Sequence, residues 1–403
     1  MLALGTNKVV LRNVGGGRSI FRLSTNNRHP LPLRRNDIFL WREGEIPSGF
    51  HGYAHFDVDA RPPGIPDSAP VIGLPDDLSY LDDGDVIRID PNRNALRVLY
   101  RRKSPHNSFL LTERCNHLCL MCSQPPKDID DSWLIDELLE TIPLMDLETR
   151  EIGFTGGEPT LLGDDFLKVL LLAKNYLPRT AVHILTNGRR FEDEDFVRKY
   201  ADIRHPDMMA GIPIYSDVST VHDYVVQADG AFDGTIRGIL NLKRYRQKVE
   251  IRVVIHKQTY ERLPQLAEFI ARNLTFVDHV ALMGLEIIGF TRANLPDLWI
   301  DPWDYKDELY RAVTLLADHR MNVSIYNHQL CVIDHRLWPF AKKSISDWKN
   351  EYMPECTGCA VKDECGGFFS SARHRYSDHI SPFRENKIIE KLPRELPPGA
   401  TAQ

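Results

Sequence analysis

Thr112-Glu113-Arg114-Cys115-Asn116-His117-Leu118-Cys119-Leu120-Met121-Cys122 is the stretch from which the rest of this 403-residue chain can be read. It places three thiols on one short loop in the spacing C-x3-C-x2-C, directly after a β-like run at 108–112. The other four of the seven cysteines are Cys331, then Cys356, Cys359 and Cys365, with Gly366-Gly367 behind them. Cysteines grouped in this way, rather than scattered, point to metal. Disulfides belong to oxidising compartments, and the N-terminal residues Met1 to Lys8 lack the basic start and long apolar core of a signal peptide. The expected location is the cytoplasm. No run approaches the ~18 apolar residues of a spanning helix. The net charge of −6, without a Lys/Arg cluster, gives no indication of a nucleic-acid partner.

Outward from the loop, strand-like and helix-like segments alternate. Strands are expected at 108–112, 151–154, 181–185, 210–215, 250–255 and 278–283. Amphipathic helical patterns fall between them, for example at 132–142, 165–176, 233–246 and 263–273. Six strands, each followed by a crossover, define an α/β fold with a parallel sheet, and the count suits an open or partial barrel better than a closed eight-stranded one. Residues 1–103 read differently. Short β-like runs (9–11, 38–41, 86–89, 96–100) are punctuated by Gly15-Gly16-Gly17, Pro62-Pro63 and Asp83-Gly84, which describes a small β-rich domain without a catalytic constellation. The expected division is therefore 1–103, a barrel over 104–300, a cysteine-rich segment over 301–380 that begins with a helix at 303–319, and a loose proline-containing tail over 381–403.

Three thiolates on one tight loop can hold three irons of a cubane 4Fe-4S cluster and leave the fourth open. The amino and carboxylate groups of S-adenosylmethionine can chelate that iron, and reductive cleavage of the sulfonium then yields a 5′-deoxyadenosyl radical. A zinc loop is the alternative, with His117 as a fourth ligand. Placement supports the cluster, because ligands in parallel sheets collect beyond the carboxyl ends of the strands. After the second strand comes Thr155-Gly156-Gly157-Glu158-Pro159-Thr160. Its glycines allow close backbone approach, and Glu158 with nearby carbonyls suits an amino group; the plain alternative is a glycine turn capped by Glu. The later strands end in Thr186-Asn187-Gly188, Tyr215-Ser216-Asp217, His256-Lys257 and Gly284-Leu285-Glu286, each polar or glycine-containing.

With these motifs in place the chain resembles the radical S-adenosylmethionine superfamily. That resemblance implies a partial (β/α)6 barrel. It makes Cys115, Cys119 and Cys122 the cluster ligands, and Gly156, Gly157, Glu158 and Pro159 the segment around the methionine amino group. Asn187 and Ser216 match positions that contact ribose or carboxylate. Arg237 is a further match for the carboxylate, with a surface helix residue as the alternative. His222-Asp223 followed by Gly230-Ala231-Phe232-Asp233 resembles peptide-modifying members with a cysteine-rich extension. Segments 104–108, 119–127 and 344–352 are similar to the maturases of the His-Xaa-Ser system, called HxsC. This implies a ribosomally made precursor peptide as substrate, an external electron donor of the flavodoxin or ferredoxin type, and companion maturase proteins.

Four thiolates at Cys331, Cys356, Cys359 and Cys365 can ligate a second, auxiliary 4Fe-4S cluster or one structural zinc. The C-x2-C-x5-C spacing resembles part of the extension called SPASM, or its shorter form Twitch; the full pattern has more cysteines, so one auxiliary cluster is the most this count supports. Tyr326 and Tyr352 read as core or as relays beside this group. Asp128 to Asp131 read as a solvated loop and helix cap.

Overall fold

The computed structural model describes residues 4–15, 19–59, 61–343 and 351–384. Two segments read above, most of the Gly15–Gly17 turn and nearly all of 344–352, lie outside the described residues, as does the tail beyond Arg384. The chain divides into two compact units, one comprising Met1–Phe109, Ser132–Ile152 and Lys168–Ala181, the other Leu110–Asp131, Gly153–Leu167 and Val182–Gln403.

The N-terminal sheet has eight strands: β1 (Gly5–Thr6), β2 (Val10–Arg12), β3 (Ile20–Ser24), β4 (Asp37–Leu40), β5 (Gly52–His55), β6 (Val71–Gly73), β7 (Val86–Asp90) and β8 (Ala95–Tyr100), in the spatial order β1-β8-β7-β3-β4-β5-β6-β2. The hairpin β7–β8 is antiparallel, and the β3–β4, β4–β5 and β5–β6 pairs are parallel. Strands β3, β4, β6, β7 and β8 feed a core of Phe21, Leu23, Ile38, Leu40, Ile72, Ile87, Ile89 and Leu96. The period-2 alternation of β7 and β8 is what made them legible. Strands β3, β5 and β6 are buried along most of their length and lack that alternation, so they escape a sequence reading.

The second sheet contains β9 (Asn107–Leu110), β10 (Glu151–Thr155), β11 (Ala181–Leu185), β12 (Met208–Pro213), β13 (Lys248–Ile255), β14 (His279–Gly284) and β15 (Val323–Tyr326), neighbours in chain order. The pairs from β11 to β15 are parallel. Strands β9 and β15 are its two edges, so this is an open α/β barrel, as the strand count implied. The seventh strand, β15, was not foreseen: it is four residues long and follows a long helix (Lys306–Asp318) instead of opening a new strand–helix unit.

The helices bury the stripe their spacing predicts. Leu263–Asn273 buries Leu263, Leu266, Ala267, Ile270 and Ala271. Ala231–Arg244 buries Ala231, Gly234, Thr235, Gly238, Ile239 and Leu242. The helix Glu194–Asp202, capped by the Asp193 carboxylate, is the crossover after β11 and buries Phe196, Val197 and Tyr200. No helix among the described residues is long and apolar enough to cross a membrane.

Candidate functional site

The three-cysteine loop begins just past β9 and is tied on every side through its backbone. The Gly157 N–H donates to Thr112 O (2.8 Å) and the Glu158 N–H to Arg114 O (2.8 Å), which fixes the loop to the end of β10. The N–H groups of Leu118 and Leu120 donate to Val226 O (3.1 Å) and Val225 O (3.0 Å), at the end of the helix Ser219–Val226. The Phe290 N–H donates to Cys122 O (2.9 Å), and the Asn294 and Thr291 side chains donate to Leu120 O (2.9 Å) and Met121 O (3.2 Å). With its backbone groups paired in this way, what the loop offers to a ligand is thiols.

Glycine makes these approaches possible. A Cβ on Gly157 would lie 2.2 Å from Arg114 O and 3.0 Å from Cys115 Cβ; one on Gly289 would lie 2.2 Å from Cys122 O. Gly289 also has φ +54°, so a side chain there is excluded twice. Gly289 was not foreseen, because a single glycine past β14 carries no signal until the loop it touches is known.

Asp131 departs from its reading as part of a solvated loop. It is buried, and one carboxylate oxygen accepts from Thr112 Oγ1 (2.9 Å) and the Glu113 N–H (2.5 Å), so it anchors the entry to the cysteine loop.

Cys115, Cys119 and Cys122 are each partly exposed. Burial pushes the Cys115 thiol up to about 11 and the Cys119 thiol up to about 12, and raises that of Cys122; the other thiols add to the first two shifts. Such thiols stay protonated unless a cation takes the proton's place, which is the behaviour of metal ligands held in a dry loop. The donor set therefore fits a cluster that requires three thiolates. Tyr215, buried at the end of β12, has its phenol pushed up by burial and by the adjacent Cys119 and Cys122.

Glu158 is fully buried, and both carboxylate oxygens are engaged. Oε1 accepts from the Thr160 N–H (3.0 Å), Thr160 Oγ1 (2.6 Å) and Thr186 Oγ1 (2.7 Å), and Oε2 accepts from the Asn187 N–H (2.6 Å). Burial pushes its pKa up, against the pull of these hydrogen bonds. The side chain thus joins the ends of β10 and β11 and is not free to meet a ligand. Asn187 continues the chain of contacts: its Nδ2 donates to Asn116 Oδ1 on the cysteine loop (2.7 Å), and its carbonyl accepts from Thr235 Oγ1 (3.0 Å). Ser216 is buried, with Oγ accepting from the Val218 N–H (3.1 Å). Arg237 lies on the surface, 60% exposed, in an ion pair with Glu192 (3.1 Å).

The second cysteine group also comes together. Cys331, Cys356, Cys359 and Cys365 line one small cavity of about 330 Å³. Among the described residues, no three His, Cys, Asp or Glu side chains are grouped around a single-ion site. Tyr352 closes the wall: its hydroxyl donates to Lys362 O (2.9 Å) and Cys365 O (3.0 Å). A second, partly open pocket is lined by residues that flank the second cysteine group in sequence. Gly284 and Glu286 line it from the end of β14, with Asn327 and Gln329 after β15 and Phe368 and Arg375 after Cys365.

One polar network escaped the sequence reading. Glu250 on β13 lies 2.6 Å from His279 Nδ1 and 3.3 Å from His183 Nε2, and it accepts from Arg252 Nη1 (2.7 Å); His279 Nε2 meets Ser324 Oγ (3.0 Å). Burial alone would push Glu250 up, but the two histidines and Arg252 hold it well below the usual carboxylate range. These residues come from β11, β13, β14 and β15, so no local pattern links them.

Burial pushes His222, His256 and His328 down to about 4. All three are neutral in the fold and titrate near about 6.5 once unfolded, so the unfolded chain binds more protons between these values. The unfolding temperature is therefore expected to fall steadily as pH drops below about 6.5. Melts across this range check it; a flat profile would contradict the burial of these rings.

Residues 109–270 match the model of the Radical SAM superfamily. The chain thus contains a radical SAM domain, the class whose cofactors are a 4Fe-4S cluster and S-adenosylmethionine. Among curated proteins, it is 26% identical over 178 residues to the Fe-coproporphyrin III synthase of Methanosarcina barkeri, covering 42% of this chain and 41% of that one. It is 29% identical over 190 residues to the cysteine-type anaerobic sulfatase-maturating enzyme of Clostridium novyi, covering 44% of this chain and 49% of that one. Each match spans less than half the length of the curated relative. Among solved structures, Streptococcus suis SuiB bound to S-adenosylmethionine superposes with a TM-score of 0.45 at 15% identity, covering 70% of this chain and 58% of that one.

Proposed function

We propose that this protein is a radical enzyme that reductively cleaves S-adenosylmethionine and modifies a ribosomally synthesised peptide by hydrogen abstraction. The observation that carries the reading is the three-thiol loop held by its backbone among the strand ends of a radical SAM domain. Cys115, Cys119 and Cys122 would hold the 4Fe-4S cluster. The backbone of Gly156, Gly157, Glu158 and Pro159, with Asn187 and Ser216, would receive S-adenosylmethionine. When bound, that pair supplies the 5′-deoxyadenosyl radical. The chain's own part is to hold the loop still, through Asp131, Glu158 and Asn187, and to keep the site dry.

Cys331, Cys356, Cys359 and Cys365 would hold an auxiliary 4Fe-4S cluster. The four thiols line one site, and the resemblance to the SPASM or Twitch extension favours a cluster there over a zinc ion. The peptide reading is supported by the resemblance to His-Xaa-Ser maturases and by the likeness to a sulfatase-maturating enzyme. An electron donor of the flavodoxin or ferredoxin type and companion maturases follow from the same resemblance. The likeness to a porphyrin-forming enzyme favours a second reading, a small-metabolite substrate.

Anaerobic reconstitution tests the proposal. About eight irons with matching sulfide, and 5′-deoxyadenosine formed under a strong reductant, are expected. Zinc without iron, or no cleavage, would refute it. Co-expression with the candidate peptide and mass spectrometry decides the substrate: a shifted mass supports the peptide reading, and an unchanged one the metabolite reading.

A further inference from the structure

The outer face of the β7–β8 hairpin breaks a rule of sheet design. Arg88 on β7 and Arg97 on β8 are directly opposed in register. Like charges at such a pair destabilise a sheet. A single carboxylate answers both: Glu137, 8% exposed at its side chain, accepts from Arg88 Nη1 (2.7 Å) and Arg97 Nη2 (3.1 Å). Arg93, at the hairpin turn and 84% exposed, is paired among the described residues with Asp90 alone, at 3.8 Å. Three guanidiniums therefore face two carboxylates, which leaves surplus positive charge on a chain whose net charge is −6.

Trp133, 43% exposed, completes the surface, with the guanidiniums of Arg88 and Arg97 over its ring at 5.2 and 5.3 Å. These residues line an open cleft of about 980 Å³ together with Asn92 and Ala95. The opposite face of the same hairpin, Ile87, Ile89 and Leu96, is core, so packing does not require arginine on the outer side. Glu137 relieves the repulsion, but its single charge does not balance the two guanidiniums it holds, so the outer face keeps positive charge available to a ligand. Glu137 orients both guanidiniums, and their remaining N–H groups suit carboxylates, which arginine binds bidentately.

We propose that this cleft docks an acidic polypeptide segment, with carboxylates on Arg88, Arg93 and Arg97 and an apolar side chain against Trp133. A polypeptide is favoured over nucleic acid because Asp90 and Glu137 interrupt the patch. Separate carboxylates can fit between them, whereas a continuous row of phosphates would be repelled. The inference does not depend on the reaction proposed above.

The probe is a short fluorescent peptide of Asp and Glu interspersed with Phe, titrated with the full chain by anisotropy. Its Asn/Gln counterpart should bind at least about tenfold more weakly, and added salt should weaken the acidic peptide. Arg93→Glu should lower affinity about tenfold without changing the melting temperature, because the residue is exposed; Trp133→Ala should lower it as well. No binding of the acidic peptide, equal binding of the neutral one, or wild-type affinity in Arg93→Glu would overturn the proposal. Tighter binding of a single-stranded oligonucleotide than of the acidic peptide would overturn it in favour of nucleic acid.

Discussion

Cys119→Ala is expected to lose reductive cleavage of S-adenosylmethionine by on the order of 10³-fold or more, with the fold unchanged. The loop is organised by backbone bonds from Leu118, Leu120, Phe290 and the 157–158 segment, none of which uses the sulfur. Removing the thiol therefore takes a cluster ligand and little else, and the melting temperature of the metal-free protein should stay close to that of wild type. His117 offers no ready substitute, since its Nε2 faces the Arg189 guanidinium (3.5 Å). The same loss is expected for Cys115→Ala and Cys122→Ala. Cys356→Ala should retain iron at the first site and lose about half the total. Iron analysis and 5′-deoxyadenosine formation decide it. If Cys119→Ala still cleaved at the wild-type rate, the assignment of the three-cysteine loop would be wrong.

Glu158→Ala is expected to be the most destabilising single change near the site, by about 3–5 kcal/mol. The substitution leaves the N–H groups of Thr160 and Asn187 and two threonine hydroxyls without their acceptor in a fully buried position. Glu158→Gln keeps one acceptor oxygen but turns an NH₂ toward a donor, so about 2–3 kcal/mol is expected. Thr186→Val, which removes the bond to Glu158 and the one accepted from the Gly188 N–H, should cost about 2 kcal/mol. The graded series distinguishes a hydrogen-bonded post from a direct ligand contact. A post loses stability in the ligand-free protein, measured by urea unfolding, whereas a contact residue loses only affinity. Equal stability of Glu158→Ala and wild type would show that the carboxylate does not join β10 to β11.

Much of this was legible because it is local. Three thiols on one loop, Gly156-Gly157-Glu158-Pro159 after a strand, and the 3.6-residue stripe of Leu263–Asn273 are each written within a short window, and the structure keeps each in the form its spacing implies. Strand β15 was missed because four residues are too little pattern to read. Arg237 matched a family position by sequence, but its surface pairing with Glu192 depends on the rotation of the helix Ala231–Arg244 about its axis.

By itself, the sequence determined the parallel α/β architecture and the three-thiol loop beyond its first strand, because hydrophobic period and cysteine spacing are properties of neighbouring residues. Only the tertiary structure decided what those residues do. It placed Cys331 around the same cavity as Cys356, Cys359 and Cys365. It spent the Glu158 carboxylate on Thr160, Thr186 and Asn187, and it buried Asp131 beneath the loop. A hydrogen bond forms between atoms about 3 Å apart, whatever their separation along the chain, and that proximity exists only once the strands are laid side by side.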